Sequence, residues 1–401
     1  MDVLDVGTCS SIKLTRGAEL KKILIVVPSF GHGGTNRSLW NLLNSQIEKD
    51  YNISVLSMDH RGAYKEKISL YNLLPESHYL KALMPLGSSK GLDRLKRVLT
   101  KVYYKVVLGC DRQKLYKKVG KKLAEHKFDI VISFQEGTAT EFASYIPAKK
   151  RIGWVRCDYS NYLRLAKKND EIDIYNRFDN IVCVSKYTAK VFSDYYPDIS
   201  DRVVAVYNII DAKGIIETSL QKTDDERYNT DLFKIVSVGR MDAVKRFVCI
   251  PEIARKLKEQ NCSFKWFIIG DGGTEAPKVK EEIVKNGVSD CVILLGAKNN
   301  PYPYIAGADI LVCPSITEAC PNVVNEAKIL HIPVVAADFA SAPEYIENGV
   351  NGIISSIDSL SDALLTMYRN KEQYDLIKRE IEKFEYKNDE SLQQLESLFA
   401  D

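Results

Sequence analysis

Short apolar runs rich in valine and isoleucine recur along the chain, separated by helix-length amphipathic segments. Each run is four to six residues long, which is the length of a strand. Continuous apolar runs that alternate with helices are typical of parallel sheets covered by helices on both faces. The runs that we predict as strands are 23–27, 53–56, 129–134, 151–155, 180–185, 203–207, 233–238, 264–269, 292–295, 309–313, 333–337 and 352–355.

The twelve runs fall into two sets of six, and a polar stretch at 218–231 separates the sets. Twelve strands are too many for one doubly wound sheet of ordinary size. The pattern therefore predicts two Rossmann-like α/β domains that face each other across a cleft. The expected boundaries are an N-terminal domain at 21–210, a linker at 211–231, a C-terminal domain at 232–375, and a helix at 376–401 that returns to the N-terminal domain.

Length and composition exclude several classes of protein. The chain has 401 residues, of which 45% are hydrophobic and 27% charged, as in an ordinary soluble globular protein. No apolar run approaches the roughly 20 residues that cross a bilayer. Residues 1–20, predicted to be a poorly ordered leader, lack the apolar core of a signal peptide, so we expect a cytoplasmic protein. A net charge of only +3 gives no indication of a nucleic-acid partner.

One stretch departs from this even charge balance. Residues 79–127 contain fourteen Lys/Arg and three Asp/Glu, and apolar residues inside the stretch keep helical spacing between basic ones. These apolar residues are Leu92, Leu95, Leu99, Val102 and Val106. A basic amphipathic helix can lie on an anionic membrane surface, which would make the protein peripheral on the inner face of the cell membrane. The alternative is a helix packed on the sheet whose solvated face happens to be basic.

A glycine-rich turn follows the first predicted strand. Gly33 and Gly34 precede an amphipathic helix, and the N–H groups of such a loop and of a helix N-terminus bind anions. The turn is not the dinucleotide fingerprint, because G-x-G-x-x-G requires glycine where Asn36 stands. The missing third glycine disfavours a nicotinamide-dependent dehydrogenase. A simple tight turn between strand and helix is the alternative.

Two more glycine turns follow predicted strands in the second half. Gly239 precedes Arg240 and Lys245, two cations that can converge on a phosphate. The other turn, 270–273, reads Gly-Asp-Gly-Gly and includes Gly272. Both turns lie at the carboxyl ends of strands, where open α/β sheets bind ligands. A solvated basic turn is the alternative for the first of them, and the second is a weak signal alone.

The segment 314–327 carries two carboxylates eight residues apart, Glu318 and Glu326. Pro321 suits the first turn of a helix, so Glu318 is expected in the loop before that helix and Glu326 inside it. Both carboxylates can face the cleft and accept hydrogen bonds from the hydroxyls of a ribose or a sugar. The alternative for Glu318 is a helix-capping role.

In combination, these motifs resemble glycosyltransferase family 4, the retaining nucleotide-sugar transferases of the GT-B fold. The resemblance rests on the order and spacing of the glycine loop, the Gly-Arg and Lys of the second half, the 270–272 turn and the E-x7-E pair, over about 330 residues. The segments 332–336 and 343–352 complete the pattern. The likeness is stronger in the second half than in the first.

The resemblance implies a role for each matching residue. Arg240 and Lys245 would neutralise the donor diphosphate, and Glu318 would contact the transferred sugar. Glu326 would hold the ribose, and the amides of Gly33 and Gly34 would reach the phosphate across the cleft. Other residues implied in donor binding are Gly239, Gly272, Ala297, Lys298, Asn322 and Val323.

The sequence departs from the family pattern at two places. Relatives commonly place glycine after the first glutamate, where this chain has Ala319. Relatives often carry a histidine near the end of the fifth strand, where this chain has Arg156 followed by Asp158, both possible contacts of the sugar or the acceptor. The chain has no D-x-D triplet, and its five histidines show no ligand spacing. We therefore expect no metal and no other cofactor.

The resemblance predicts a hexosyltransferase that moves a hexose or N-acetylhexosamine, with retention, from a UDP-sugar to a glycan or polyprenyl-linked acceptor. It suggests bacterial capsule, exopolysaccharide or lipopolysaccharide assembly. Two alternatives stay open. One is a nucleotide-sugar epimerase on the same fold, and the other is an inactive GT-B subunit that partners a catalytic transferase.

Overall fold

The computed structural model describes residues 20–31, 33–45, 47–83, 91–106, 109, 111–166 and 170–400. Two separate sheets, each parallel throughout, form the framework of the chain. The first sheet contains β1 (Lys22–Ser29), β2 (Asn52–Asp59), β3 (Asn72–Leu73), β4 (Ile130–Ser133), β5 (Lys150–Val155), β6 (Asn180–Cys183) and β7 (Val203–Ala205). The second contains β8 (Phe233–Val238), β9 (Phe264–Ile269), β10 (Val292–Gly296), β11 (Ile310–Cys313), β12 (Val334–Ala337) and β13 (Gly352–Ser355). The predicted fold class is confirmed.

The apolar runs are strands because both faces of each sheet are covered. In β1, Ile23, Ile25 and Val27 point into one hydrophobic core, and Leu24 and Val26 point into the other. This two-sided burial favours apolar side chains at successive positions. All twelve predicted strands are present, and among the described residues β3 is the one strand that the sequence pattern did not predict. That strand has two residues at the sheet edge and therefore leaves no apolar run.

The strand order places a ligand crevice at the same point in each sheet. The orders are β3-β2-β1-β4-β5-β6-β7 and β10-β9-β8-β11-β12-β13. The order reverses between β1 and β4 in the first sheet and between β8 and β11 in the second. Open parallel sheets bind ligands outside the carboxyl ends of the strands at such reversal points. The glycine turns after β1 and β8 lie at these two points.

The helices that cover the sheets follow the strands in alternation. In the first half they are α1 (Gly34–Leu43), α2 (Lys65–Ile68), α3 (His78–Leu83), α4 (Gly91–Val106), α5 (Arg112–Leu123), α6 (Thr138–Ala143), α7 (Tyr159–Ala166), α8 (Ile172–Tyr175) and α9 (Lys186–Tyr195). In the second half they are α10 (Ala212–Ser219), α11 (Ile250–Glu259), α12 (Ala276–Lys285), α13 (Tyr302–Ala306), α14 (Asn322–Ile329), α15 (Ala342–Tyr345), α16 (Leu360–Arg369), α17 (Lys371–Ile381) and α18 (Asp389–Ala400). The segment predicted as a linker, 211–231, contains α10.

The end of the chain divides between the two sheets. Ile377 of α17 is buried in the core of the second sheet. Leu395 and Phe399 of α18 are buried in the core of the first sheet, where the Phe399 ring lies 5.3 Å from the ring of Tyr51. The chain therefore crosses back to the first domain between α17 and α18. The predicted leader lies outside the described residues, apart from Leu20.

The apolar stripe of α4 is exposed to solvent. Between 50% and 76% of the surface of each residue in this stripe is accessible: Leu92, Leu95, Leu99, Val102 and Val106. Arg97 on the same helix is buried instead, with its guanidinium 3.6 Å from the Asp59 carboxylate. The alternative in which α4 packs its apolar face on the sheet is therefore wrong. Across the described part of the chain, no helix is long and apolar enough to span a membrane.

Candidate active site

The carboxyl ends of three neighbouring strands are held together by glycine backbone. The Gly239 N–H after β8 donates to the Ile269 carbonyl at 2.9 Å, and the Gly270 N–H after β9 donates to the Gly296 carbonyl at 2.8 Å. A Cβ atom on Gly270 would lie 1.9 Å from the Gly239 carbonyl oxygen, so no side chain fits there. Gly272 has φ +67°, a conformation that glycine adopts without strain. These turns form a surface at the strand ends, here called the glycine shelf (Gly239, Gly270 and Gly272), beside which Arg240 and Lys245 lie.

Lys245 and Glu318 form an ion pair beside the β8 and β11 strand ends. The Lys245 Nζ lies 2.5 Å from Glu318 Oε1, and the Ser315 hydroxyl donates to the same oxygen at 2.7 Å. Burial is the largest single influence and lowers the pKa of Lys245, but the charge of Glu318, its hydrogen bond and the nearby Cys313 together outweigh burial, so the pKa lies above its ordinary value. The lysine is therefore a fixed cation. Lys245 and Glu318, which were predicted to lie at the same edge of the sheet, are in direct contact.

Arg240 stands near this pair and is accessible to a ligand. Its side chain is 63% exposed and its guanidinium lies 2.9 Å from the Asp242 carboxylate. The charge of Arg240 is one of the influences that lower the pKa of Lys245, so the two cations are electrostatic neighbours. An anion at this edge would meet both positive charges. Two converging cations are suited to a diphosphate.

The helix α14 carries the second carboxylate and touches the first domain with its first turn. It begins at Asn322, as Pro321 predicts, and Val323 follows in the same turn. The Asn322 side-chain oxygen accepts a hydrogen bond at 3.0 Å from the Asn208 amide. One turn further on, Glu326 is only 3% exposed. Asn322 and Glu326 therefore lie where the two domains meet.

The glycine loop of the first domain faces α14. Gly33 has φ +151°, a backbone conformation that favours glycine, and it precedes α1 without any side-chain cap. The N–H groups of the first turn are thus available to an anion. A Cβ atom on Gly34 would lie 3.1 Å from the Asn322 amide nitrogen, which shows how closely the domains approach. The loop predicted to reach the donor across the cleft does meet the second domain.

The turn at Ala297 and Lys298, which the family resemblance implies in donor binding, has a fixed lysine. Ala297 and Lys298 follow the end of β10, and Lys298 Nζ lies 2.8 Å from the Asp224 carboxylate and 3.4 Å from Asp225. These ion pairs tie the turn to the segment that connects the domains. The side chain of Lys298 is thereby held away from solvent, at 12% exposure.

Arg156 and Asp158 are both engaged in contacts within the protein. The Arg156 guanidinium lies over the Phe134 ring at 3.8 Å and donates to the Asn208 side-chain oxygen at 2.8 Å. Burial lowers the pKa of Arg156 to about 9. Asp158 accepts hydrogen bonds from Ser160 and from the Tyr187 hydroxyl, at 2.7 and 2.8 Å. Their roles as sugar or acceptor contacts stay predictions.

Three residues at the domain contact were not assigned a role by the sequence analysis. Arg37 Nη1 of α1 lies 2.5 Å from Glu326 Oε1, and Asn208 links Arg156 to Asn322. Glu344 accepts hydrogen bonds from the N–H groups of Lys186 and Tyr187 and from the Tyr207 hydroxyl. In the sequence, each of the three is a charged or amide side chain next to a motif. Arg37 and Glu326 are 289 residues apart, Asn208 and Asn322 are 114 apart, and Glu344 and Lys186 are 158 apart, so no local spacing reveals these contacts.

The described residues contain no group of three or more His, Cys, Asp or Glu side chains that could hold a metal ion. The cations of Arg240 and Lys245 are the positive charges that this edge offers to an anion. The expectation of a metal-free site stays a prediction.

Two parallel α/β domains that meet across glycine turns, cations and buried carboxylates are the arrangement of GT-B glycosyltransferases. Residues 32–213 match the family model Glycosyltransferase Family 4, and residues 233–370 match the model Glycosyl transferases group 1. Together the two models cover most of the chain and both describe glycosyltransferases, so this chain is a glycosyltransferase. The resemblance that the motifs indicated is confirmed.

Individual relatives agree with this assignment. An uncharacterized glycosyltransferase of Methanocaldococcus jannaschii is 24% identical over 57% of this chain and 60% of its own length. The N-acetylgalactosamine-N,N'-diacetylbacillosaminyl-diphospho-undecaprenol 4-alpha-N-acetylgalactosaminyltransferase of Campylobacter jejuni is 24% identical over 87% of this chain and 90% of its own length. The crystal structure of Anabaena HepE in complex with UDP and glucose has a TM-score of 0.72 at 19% identity, over 95% of this chain and 100% of that one.

Proposed function

We propose that the protein is a retaining, metal-independent transferase that moves a hexose or N-acetylhexosamine from a UDP-sugar to a glycan or lipid-linked acceptor. The observation that carries the proposal is the pair of cations Arg240 and Lys245 at the end of β8, together with the N-terminus of α1, which meets Asn322 of the second domain and has no side-chain cap among the described residues. A diphosphate bound between these elements would be met by positive charge from both domains. The UDP in the HepE complex supports uracil as the base.

In the proposed reaction the bond between the sugar C1 and the β-phosphate oxygen breaks, and a bond from C1 to an acceptor hydroxyl oxygen forms on the same face. The hydroxyl proton passes to the departing diphosphate, so UDP is released. Negative charge grows on the β-phosphate as its bond to C1 breaks. Arg240 and Lys245 stabilise that charge without reorganising, because Glu318 and Asp242 already hold them in place.

The remaining donor contacts follow from the same arrangement. Glu326 accepts hydrogen bonds from the ribose hydroxyls, and Glu318 lies on the side of the transferred sugar. The backbone at Gly239 and Gly272 lets the diphosphate approach the sheet edge closely. A further group assigned to donor binding comprises Gly33, Gly34, Ala297, Lys298, Asn322 and Val323.

The proposed acceptor is supported by the names of relatives. The Campylobacter jejuni relative is named for a transfer to a diphospho-undecaprenol-linked sugar, and another relative is named an amylovoran biosynthesis glycosyltransferase of Erwinia amylovora. Both names describe assembly of a bacterial glycan, and the first describes a lipid-linked acceptor. We therefore propose a role in capsule, exopolysaccharide or lipopolysaccharide assembly.

The test of the proposed function is a two-stage assay. A thermal-shift screen against nucleotide-sugars finds the donor, because a ligand at 100 times its Kd adds about 2.7 kcal/mol of stability. The release of UDP is then measured with and without lipid-linked or glycan acceptors. We expect UDP only when an acceptor is present. An epimerase would convert the donor without acceptor, and an inactive subunit would bind no nucleotide-sugar.

The metal-free mechanism makes a separate prediction for the same assay. We expect that EDTA leaves the rate of transfer unchanged, because Arg240 and Lys245 neutralise the negative charge of the diphosphate, as a divalent cation would in a metal-dependent enzyme. The measurement is the steady-state rate with EDTA, with added Mg²⁺ and with added Mn²⁺. A strict dependence on either ion would contradict this mechanism while leaving sugar transfer intact.

We also propose that the protein binds anionic lipid through residues 79–127, which would hold it on the inner face of the cell membrane. The exposed apolar stripe of α4 supports this, because its large side chains are 50% to 76% exposed to solvent and basic residues flank them. Apolar insertion together with attraction to anionic headgroups is the pattern of an interfacial helix.

Sedimentation with vesicles tests the membrane proposal. We expect binding to vesicles that contain anionic lipid and much weaker binding to neutral ones, with loss of binding at high salt because charge is screened. The double substitution Leu95→Glu and Leu99→Glu should abolish binding. Val284→Glu is the matched control, since Val284 is 73% exposed on α12 outside the basic stretch. Equal sedimentation with both kinds of vesicle at low salt would refute the proposal.

A further inference from the structure

The carboxylate assigned to the ribose has a partner from the other domain. Arg37 lies on α1, just after the glycine loop, and its Nη1 atom donates to Glu326 Oε1 at 2.5 Å. Glu326 is 3% exposed, and among the described residues Arg37 is the one side chain that forms a hydrogen bond or ion pair with its carboxylate. The donor site of the second domain is therefore completed by a residue of the first.

Arg37 is fixed from several sides. The Tyr64 hydroxyl lies 3.4 Å from Arg37 Nε, and the guanidinium lies 5.7 Å from the centre of the Tyr302 ring. The Glu326 carboxylate raises the pKa of Arg37 above its ordinary value, against the effect of burial. Tyr64 belongs to the first domain and Tyr302 to the second. The arginine is thus held in one position only while the two domains are in contact.

Arg37 uses one part of the hydrogen-bonding capacity of Glu326. A carboxylate offers about four acceptor positions, and the hydrogen bond from Arg37 Nη1 occupies one of them. A buried carboxylate without a positive partner is destabilising, so the ion pair with Arg37 holds Glu326 in place. The hydroxyls of a ribose would use the remaining acceptor positions.

We infer that Arg37 is a positioning residue of the ribose site, which holds the Glu326 carboxylate in its orientation and makes nucleotide binding depend on contact between the domains. The inference rests on the proposed function, because it takes Glu326 as the ribose ligand. A different arrangement would be a latch, in which Arg37 occupies the Glu326 oxygens that the donor needs. A competing arginine would have to leave before the nucleotide bound, and its removal would tighten nucleotide binding.

The test compares two nucleotides that differ only in the ribose hydroxyls, UDP and 2′,3′-dideoxy-UDP, by calorimetry on the full chain without acceptor. We expect the wild-type protein to prefer UDP. Arg37→Met should weaken UDP binding about ten- to hundredfold, the usual effect of a hydrogen bond to a charged group, and leave the dideoxy compound nearly unchanged. Arg37→Lys should restore part of the preference. In a Glu326→Gln background, Arg37→Met should add little, because the residue acts through Glu326.

The control is Glu344→Gln, which alters another carboxylate at the domain contact but does not touch Glu326. We expect it to keep the preference for UDP. Equal weakening of both nucleotides by Arg37→Met would overturn the inference in favour of a general effect on domain contact, and tighter UDP binding would overturn it in favour of a latch. A wild-type protein that binds both nucleotides equally would instead contradict the ribose assignment of Glu326. Failure of sugar transfer with intact UDP discrimination would contradict the proposed function alone.

Discussion

We expect alanine at position 240 or 245 to lower the turnover of sugar transfer by about 10²–10³, or roughly 3–4 kcal/mol, which is the usual effect of losing one preorganised charge-stabilising group. The donor KM should change less than kcat. The reason is that negative charge moves onto the β-phosphate as the bond to C1 breaks, so the contacts of Arg240 and Lys245 strengthen in the transition state.

The two substitutions differ in what else they disturb. Arg240 is 63% exposed, so Arg240→Ala should leave thermal stability almost unchanged and give the cleaner measurement. Lys245→Ala also leaves Glu318 without its ion-pair partner at 11% exposure. The double variant Lys245→Met with Glu318→Gln removes that unpaired charge. Its thermal stability, compared with that of Lys245→Ala, measures how much of the disturbance in Lys245→Ala comes from the unpaired carboxylate.

Steady-state kinetics with the donor found by the thermal screen measure both effects. Arg255→Ala is the control for a loss of positive charge, since Arg255 lies on α11 of the same domain and pairs with Glu259 away from the glycine shelf. We expect normal kinetics for this variant. Wild-type turnover in both Arg240→Ala and Lys245→Ala would mean that the diphosphate lies elsewhere.

The framework of the fold was predictable because burial on both faces leaves a direct mark on composition. Strands buried between two cores are mostly apolar along their length, and β1 is the clearest example. The two-residue strand β3 has no such mark, because its pairing with β2 depends on the backbone and on its place at the edge. The sequence pattern reports burial and not pairing itself.

The donor side of the site was predictable for a related reason. Gly239, Gly270 and Gly272 are close in space to one another, and each must be glycine because of its own backbone or its close neighbours. The order of these glycine motifs in the sequence therefore reflects how the three turns lie together at the sheet edge. The pairing of Arg37 with Glu326 is different, because either residue could stand in a surface helix and nothing local distinguishes it. Only the approach of the two domains brings them together.

The orientation of the helix α4 was not predictable from its sequence. Its apolar spacing indicates an amphipathic helix, but spacing does not determine which face the protein covers. Two readings therefore stayed open from the sequence. The buried position of Arg97 beside Asp59 turns the helix so that Leu92 and Leu99 remain in water.

Removal of the Glu326 carboxylate should mainly change the donor KM, whereas removal of the Arg240 side chain should mainly change kcat. We expect Glu326→Ala to raise the donor KM about ten- to hundredfold with a small change in kcat, because hydrogen bonds to a charged group contribute roughly 1.5–3 kcal/mol each. A ribose contact changes little between the bound donor and the transition state. Its loss therefore appears in binding and not in the chemical step.

The measurement is the dependence of initial rate on donor concentration for Glu326→Ala, Glu326→Gln and Glu347→Ala. Glu326→Gln keeps the shape of the side chain at a position that is 3% exposed, so it separates the lost charge from a cavity. Glu347→Ala removes an exposed carboxylate from the same domain and should leave KM unchanged. If Glu326→Gln lowers kcat as strongly as Arg240→Ala while KM stays constant, the carboxylate acts on the reacting sugar. Glu318 and Glu326 would then have exchanged roles.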